Sequence, residues 1–495
     1  MKNGKKEVAV IGAGLGGMAA ALCCASAGYR VSLFEKNERI GGKLNIMHKG
    51  DYTFDTGPSL LTLPHIFRSL FGRAGKNFDD YVEIAPLSVH WRNFFEDGSV
   101  FDFLADQAET ERELTKIDPC ASGRLRRFLS YSRRQYAIVD KKYFMEGLDT
   151  VGSIISRYNA FSLIAKFDVF RTMGGSIRRF FSDSRIRSAF EYFAKYVGSS
   201  PYKAPGFLNL LPWVQFHYGL WYVKGGMYNL ARGIERALKE AGVAIHTDHE
   251  VARIVKNGNC VGGIVFENGR RISADVIVSN MEVTPAYAEL LGEEASFLRR
   301  FEKFEPSCSG VVLHLGTNKI FPSLAHHNFF FSRDPRRSYK AVFDDYTIPD
   351  DPTLYVVAPC RTDPGQAPAG CDNIKILPQF PHLGVKRFSE GDIADFRDRI
   401  LAKLERMGLT GLRESIVAED LWTPYDLERR YRSNKGSIYG VVCDRTKNFA
   451  LKASKRSSRY KNLFFVGGSV NPGGGMPMVV LGGMKAADLV CKAFP

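Results

Sequence analysis

Three glycines and one carboxylate make the first chemical proposal of this chain: Gly12, Gly14 and Gly17, with Glu35 lying 21 residues beyond Gly14. Gly12 permits a tight turn, Gly14 lets backbone approach a pyrophosphate, and Gly17 lets a helix pack closely on a strand. A carboxylate roughly 20 residues further on is placed to accept the hydroxyls of an adenosine ribose. The surroundings agree. Val8-Ala9-Val10-Ile11 precedes the glycines as a strand, an Ala-rich segment runs to Ala27 as a helix, Gly28 stops it, and Val31-Ser32-Leu33-Phe34 leads into Glu35 as a second strand. The pyrophosphate would sit on the helix N-terminus, where unpaired N–H groups and the dipole favour an anion. This unit alone admits NAD or FAD.

Two further places choose between them. Gly41-Gly42 beside Lys43 offers N–H groups and a cation to phosphate or ribityl oxygens. Near the C-terminus, Leu463-Phe464-Phe465-Val466 reads as a buried strand, residues 467–475 as a glycine-rich loop, and Met476-Pro477 as the first turn of a last helix. Backbone in such a loop can approach a flat ring, and the helix start places positive potential where a reduced flavin carries negative charge. Both features favour FAD. No Ser-His-Asp or metal constellation accompanies them: His326-His327 has neither a helical HxxxH partner nor a nearby carboxylate pair, so it reads as polar packing and no metal is expected.

These residues must be carried by a large scaffold. At 495 residues the chain exceeds one typical core, and 45% hydrophobic with 24% charged residues describes an ordinary folded protein. The class is α/β: a Rossmann-like FAD-binding domain in discontinuous segments at 1–105, 219–300 and 436–495, a strand-rich substrate domain at 301–435, and a helical insertion at 106–218. The net charge of +15 points to an anionic partner surface, nucleic acid or membrane headgroups. Within residues 154–190, Phe161, Phe167, Phe170, Phe180, Phe181 and Phe190 interleave with Arg157, Lys166, Arg171, Arg178, Arg179, Arg185 and Arg187. That pattern suits a membrane interface as well as a core face backed by a solvated face. No nucleic-acid motif accompanies the charge, so no nucleic-acid partner is expected. Nine scattered cysteines without a CxxC pair suggest reduced thiols in a cytoplasmic setting. No signal peptide is expected ahead of a fingerprint that starts so early, and no apolar run of about 18 residues is long enough to span a bilayer.

Taken together the chain resembles, over essentially its whole length, the bacterial phytoene desaturase family of carotenoid desaturases and oxygenases, within the amine-oxidase-like flavoproteins. The more specific residues are Asp55-Thr56-Gly57-Pro58-Ser59, Gly225-Gly226-Met227, Leu324-Ala325-His326-His327, residues 355–360, Pro381-His382-Leu383-Gly384 and the ending from Val466 to Pro477. The resemblance implies FAD held by Gly12, Gly14, Gly17, Glu35, Lys36, Gly42, Lys43, Gly57, Pro58, Ser59, Val251, Gly468, Gly475 and Met476. It implies an acyclic carotenoid of forty or thirty carbons, desaturated by hydride transfer to flavin with proton loss, and Asp149 by its position as the proton acceptor. It further implies peripheral attachment to an anionic membrane through residues 154–190, and oxygen or a quinone as electron acceptor. The segment 436–440 and the loop to Met478 depart from plain phytoene desaturases and look more like branches that act on acyclic carotenoids already partly desaturated or hydroxylated, or on thirty-carbon diapocarotenoids, including enzymes that oxidise a terminal methyl to an aldehyde. The alternatives are thus a terminal-methyl oxygenase, an amine oxidase, and a non-catalytic isoprenoid-binding flavoprotein.

Overall fold

The computed structural model describes residues 5–144, 147–149, 151–158 and 167–495. A five-stranded parallel sheet gathers three distant parts of the chain. Its strands run in the order Leu463–Phe465, Val276–Ser279, Glu7–Ile11, Arg30–Phe34 and Ala244–His246. The register pairs Val10 with Leu33 on one side and Val278 on the other. The middles of these strands are mostly apolar because helices cover one face and the antiparallel sheet Val251–Asn257, Cys260–Phe266 and Arg271–Ser273 contributes to the other.

The helix Leu15–Ser26 is buried over its first ten residues. Its small side chains let the last helix, Met476–Ala493, cross it closely: a Cβ on Gly483 would run into the carbonyl oxygen of Gly16. At the next residue, a Cβ on Gly17 would run into the carbonyl of Gly12, which joins helix to strand.

A second, eight-stranded sheet has the order Ile416–Trp422, Val312–Thr317, Asp372–Phe380, Leu354–Val357, His327–Phe330, Val89–Phe94, Val100–Leu104, with Ser309–Gly310 alongside Asp372–Phe380. The hairpin at 89–104, grouped by sequence with the first nucleotide segment, belongs to this sheet. Asn328 pairs with Arg92 in parallel register, and Phe94 stacks on Phe330 with ring centroids 4.4 Å apart.

Residues 106–218 are helical where described. Their aromatic residues divide. Phe181 and Phe190 lie in the core and stack on one another, whereas Phe170 is 64% exposed; Phe161 and Lys166 lie outside the described residues. Among the described residues no helix is long and apolar enough to cross a membrane.

The helix crossing gives a paired test. Alanine in place of a helical glycine gains about 1 kcal/mol from propensity, and at Gly482 the nearest neighbour of a new Cβ is a comfortable 3.7 Å away. Gly482→Ala is expected to be neutral or stabilising. Gly483→Ala must push two backbones apart and is expected to cost about 1–3 kcal/mol, read as opposite shifts of the urea unfolding midpoint.

Candidate functional site

The two sheets and the helical region enclose a cavity of about 870 Å³ whose ends differ in chemistry. At one end lie Gly12, Gly14, Glu35 and Gly42. Gly12 has φ +89°, which lets the strand turn into the helix. Gly14 caps Leu15–Ser26 without any side-chain hydrogen bond, and no acid occupies the first turn, so the helix N–H groups remain open to an anion. Glu35 is buried, and its carboxylate accepts from the Ala13 N–H at 2.8 Å, the Asn37 N–H at 3.0 Å and the Asn37 amide at 2.8 Å. The carboxylate therefore holds the glycine turn as well as facing the cavity. Gly41 N–H donates to Ala13 at 2.8 Å, and a Cβ on Gly42 would crowd Gly14.

Asn280 completes this end and carries no sequence signature. It follows the strand Val276–Ser279, packs over Gly12, Gly14 and Gly16, and its buried Oδ1 has no hydrogen-bond partner among the described residues. A cradle of bare backbone, an uncapped helix start and an orphaned amide oxygen fit a dinucleotide.

In the middle of the cavity, Lys43 donates to the carbonyls of Ser437 and Ile438, each at 2.9 Å. Burial pushes its ammonium below the usual lysine range and pushes the nearby Glu282 carboxyl up, while each charge partly offsets the other's shift. Lys36 donates to the Arg429 carbonyl at 2.6 Å. Gly57, Pro58 and Ser59 line the wall beside Lys375, whose ammonium donates to the carbonyls of Asp55 at 2.8 Å and Gly57 at 2.6 Å. Asp55 in turn accepts from the N–H groups of Met227 and Tyr228, at 3.0 and 3.3 Å. One carboxylate thus ties the Asp55–Ser59 loop to Gly225-Gly226-Met227.

At the other end the lining is aliphatic and aromatic: Leu210, Leu211, Val214, Phe207, Val197 and Ile138. The start of the last helix bounds the cavity through Gly475 and Met476, again with no capping side chain and no acid in the first turn. Lys195, Tyr196, Gln215 and Tyr355 also face this space.

Of the residues read from sequence, Gly12, Gly14, Glu35, Lys36, Gly42, Lys43, Gly57, Pro58, Ser59, Val251, Gly468, Gly475 and Met476 line the one cavity. Gly17 stands behind it as a packing residue. Asp149 is not in the lining. Its carboxylate is paired with Lys455 and accepts from the Lys455 N–H at 3.1 Å and the Ser454 hydroxyl at 3.3 Å. The two adjacent histidines are used separately, His326 against the Thr362 hydroxyl at 2.7 Å and His327 against that of Tyr355 at 3.0 Å.

This architecture is that of a flavoprotein oxidoreductase with a large cavity beside the nucleotide cradle. Residues 15–491 match the family described as flavin containing amine oxidoreductase. The chain is 53% identical over 489 residues to the 4,4'-diapolycopene oxygenase of Methylomonas sp, covering 99% of this chain and 98% of that one. It is 46% identical over 493 residues to the 4,4'-diaponeurosporene oxygenase of Staphylococcus haemolyticus, with the same coverage of 99% and 98%. In fold it is similar to putrescine oxidase bound to putrescine, with TM-score 0.66, 14% identity and coverage of 98% and 99%. Cyclohexylamine oxidase from Brevibacterium oxydans gives TM-score 0.63 at 14% identity, covering 99% of both chains. The chain belongs to the flavin containing amine oxidoreductase family, among its FAD-dependent carotenoid desaturases and oxidases; FAD is its cofactor and it is an oxidoreductase.

Burial pushes the Lys375 ammonium down to about 8, the Asp55 carboxylate only partly offsetting the shift. The unfolded chain holds this proton to about 10.5. The cost of burying the ammonium is therefore fully present below pH 8 and is relieved as pH rises from 8 toward 10.5. Across that window wild type should gain stability relative to Lys375→Met, measured by urea unfolding at successive pH values.

Proposed function

We propose that this enzyme oxidises a terminal methyl group of an acyclic thirty-carbon carotenoid to the aldehyde. The observation that carries the reading is the 53% identity, across the whole length, with a protein named 4,4'-diapolycopene oxygenase. The names of the relatives favour this terminal oxidation over desaturation along the chain, which was the first expectation from sequence. In balance, the terminal carbon loses two hydrogens and gains one oxygen; with dioxygen as co-reactant, the second oxygen atom leaves in water.

FAD, when bound, supplies the two-electron acceptor for hydride from carbon. Glu35 would hold the adenosine ribose, residues 12–17 with Asn280 the pyrophosphate, and Gly42, Lys43, Gly57, Pro58, Ser59, Gly468, Gly475 and Met476 the remainder, with Lys36 and Val251 at the adenosine side. Lys375 holds the Asp55–Ser59 loop in place by donating to two of its carbonyls. Leu210, Val214 and Phe207 orient an apolar chain and exclude water from its reacting end. The ion pair with Lys455 makes Asp149 an anchor for the segment at 454–455 in this reading, not a proton acceptor.

Cells that accumulate thirty-carbon polyenes and express the enzyme should yield pigments that gain one oxygen and lose two hydrogens at each modified end. Heavy-isotope dioxygen should label them. Loss of two hydrogens without oxygen would assign a desaturase instead, and unchanged pigment beside a photoreducible flavin would assign a non-catalytic binder.

We also infer peripheral attachment to an anionic membrane. Phe170 and Phe449 are 64% and 74% exposed, Phe449 borders the cavity, and Arg445 in the same turn donates to the Phe170 carbonyl at 2.6 Å. With a net charge of +15, this edge would let a hydrocarbon pass from bilayer to cavity without crossing water. The enzyme should sediment with anionic vesicles at low salt. Phe170→Ser with Phe449→Ser should weaken that binding at least tenfold, since each buried phenyl contributes about 1.5–3 kcal/mol; a wild type that stays in the supernatant would overturn the attachment.

A further inference from the structure

Two donors in the cavity wall find no hydrogen-bond acceptor among the described residues. Lys195 is 7% exposed, and its ammonium lies 3.3 Å from the Tyr355 ring centroid and 4.3 Å from that of Phe329, with Trp91 and Tyr196 further out. Among the described residues it makes no ion pair, and burial together with the charge of Lys375 pushes it well below the usual lysine range. Gln215 is 1% exposed. Burial pushes the Tyr196 phenol up, so it remains an O–H donor, and it donates to Gln215 Oε1 at 2.9 Å. That bond fixes the amide's orientation and leaves Nε2 free: it is buried without a partner among the described residues. Leaving a buried donor unsatisfied is costly.

Both residues line the same cavity, on the side where Tyr355 reaches Ser59 and Lys375 holds the carbonyl of Gly57. Lys195 therefore stands, through Tyr355, next to the loop assigned to the cofactor, and Gln215 is joined to its neighbour Tyr196. A pure hydrocarbon satisfies neither. An oxygen on the last carbon of the polyene offers the acceptor that both lack.

We propose that Lys195 and Gln215 form an oxygen-binding pole that takes the hydroxyl or carbonyl oxygen of a terminally oxygenated polyene, so that a half-oxidised end is kept in the cavity. The pole deepens the terminal-oxidation reading and rests on it. It makes the hydroxymethyl polyene the preferred occupant over the parent hydrocarbon, and Tyr196 is the positioning residue that aims the Gln215 amide.

The test uses purified holoenzyme with a hydroxymethyl-terminated thirty-carbon polyene and the corresponding hydrocarbon. Binding is read anaerobically from protein fluorescence quenching, and turnover from product masses. Wild type should bind the alcohol at least tenfold more tightly than the hydrocarbon, and no preference would overturn the pole. In Lys195→Met and in Gln215→Leu the preference should fall about tenfold, with the alcohol accumulating at the expense of the aldehyde. Tyr196→Phe should give a smaller loss of the same sign. Equal losses for both polyenes would mark structural damage and overturn the assignment. If wild type forms no oxygenated product yet prefers the alcohol, and the variants lose that preference, the pole stands and only the oxygenase reading falls.

Discussion

Backbone touches backbone at several points around residues 12–17, and the rest of the site follows from that closeness. Gly12 turns at φ +89°, Gly17 leaves room for its carbonyl, Gly42 closes on Gly14, and Gly483 closes on Gly16. The partners of this short turn come from the second glycine loop and the last helix, hundreds of residues apart in sequence. No side chain could be interposed without moving a strand or a helix, because packed interiors do not yield by a methyl group without cost. The same bareness that lets the elements meet leaves the helix N–H groups uncovered, so the packing constraint and the anion site are one feature.

This explains which parts could be read from sequence. Gly12, Gly14, Gly17 and Glu35 are local in sequence and each obeys a backbone rule, so their types and spacing carry the information. Asn280 does not. It reaches the glycine turn because its strand pairs with Glu7–Ile11, and only the sheet brings them together. Lys195, Gln215 and Lys375 are hidden in the same way, one lysine in a short helical turn and the other in the middle of a strand. The aromatic and basic stretch misleads for a related reason: interleaving cannot tell which phenylalanines find partners, and Phe181 and Phe190 find each other while Phe170 finds solvent. The hairpin at 89–104 follows its neighbours in space, His327–Phe330, and not its neighbours in sequence.

The two ends of the cavity handle polarity in opposite ways. Around the glycine turn and the Asp55–Ser59 loop the described charges are mostly met: Glu35 by three donors, Lys43 by two carbonyls, Lys375 by two more. Burial of a charge without such partners is costly, and here carbonyl groups do most of the compensation. Elsewhere in the lining Lys195 and Gln215 keep donors without an acceptor among the described residues. Contact with the Tyr355 ring compensates Lys195 only in part, since a desolvated cation over an aromatic face gains about 2 kcal/mol while losing its hydration.

An apolar tunnel alone cannot choose a carbon on a polyene. Each repeating unit offers the same methyl-bearing surface as the next, so sliding by one unit exchanges like contacts and changes the burial free energy little, at about 0.8 kcal/mol for any single methylene gained or lost at an end. Affinity for the chain and register along it therefore have different physical sources. Affinity can come from Leu210, Val214 and Phe207, whereas register requires a feature that occurs once, and on such a molecule only the end is unique. On the proposed reading Lys195 and Gln215 would supply that feature, and the selection of a terminal carbon would rest on donors that a hydrocarbon leaves unsatisfied.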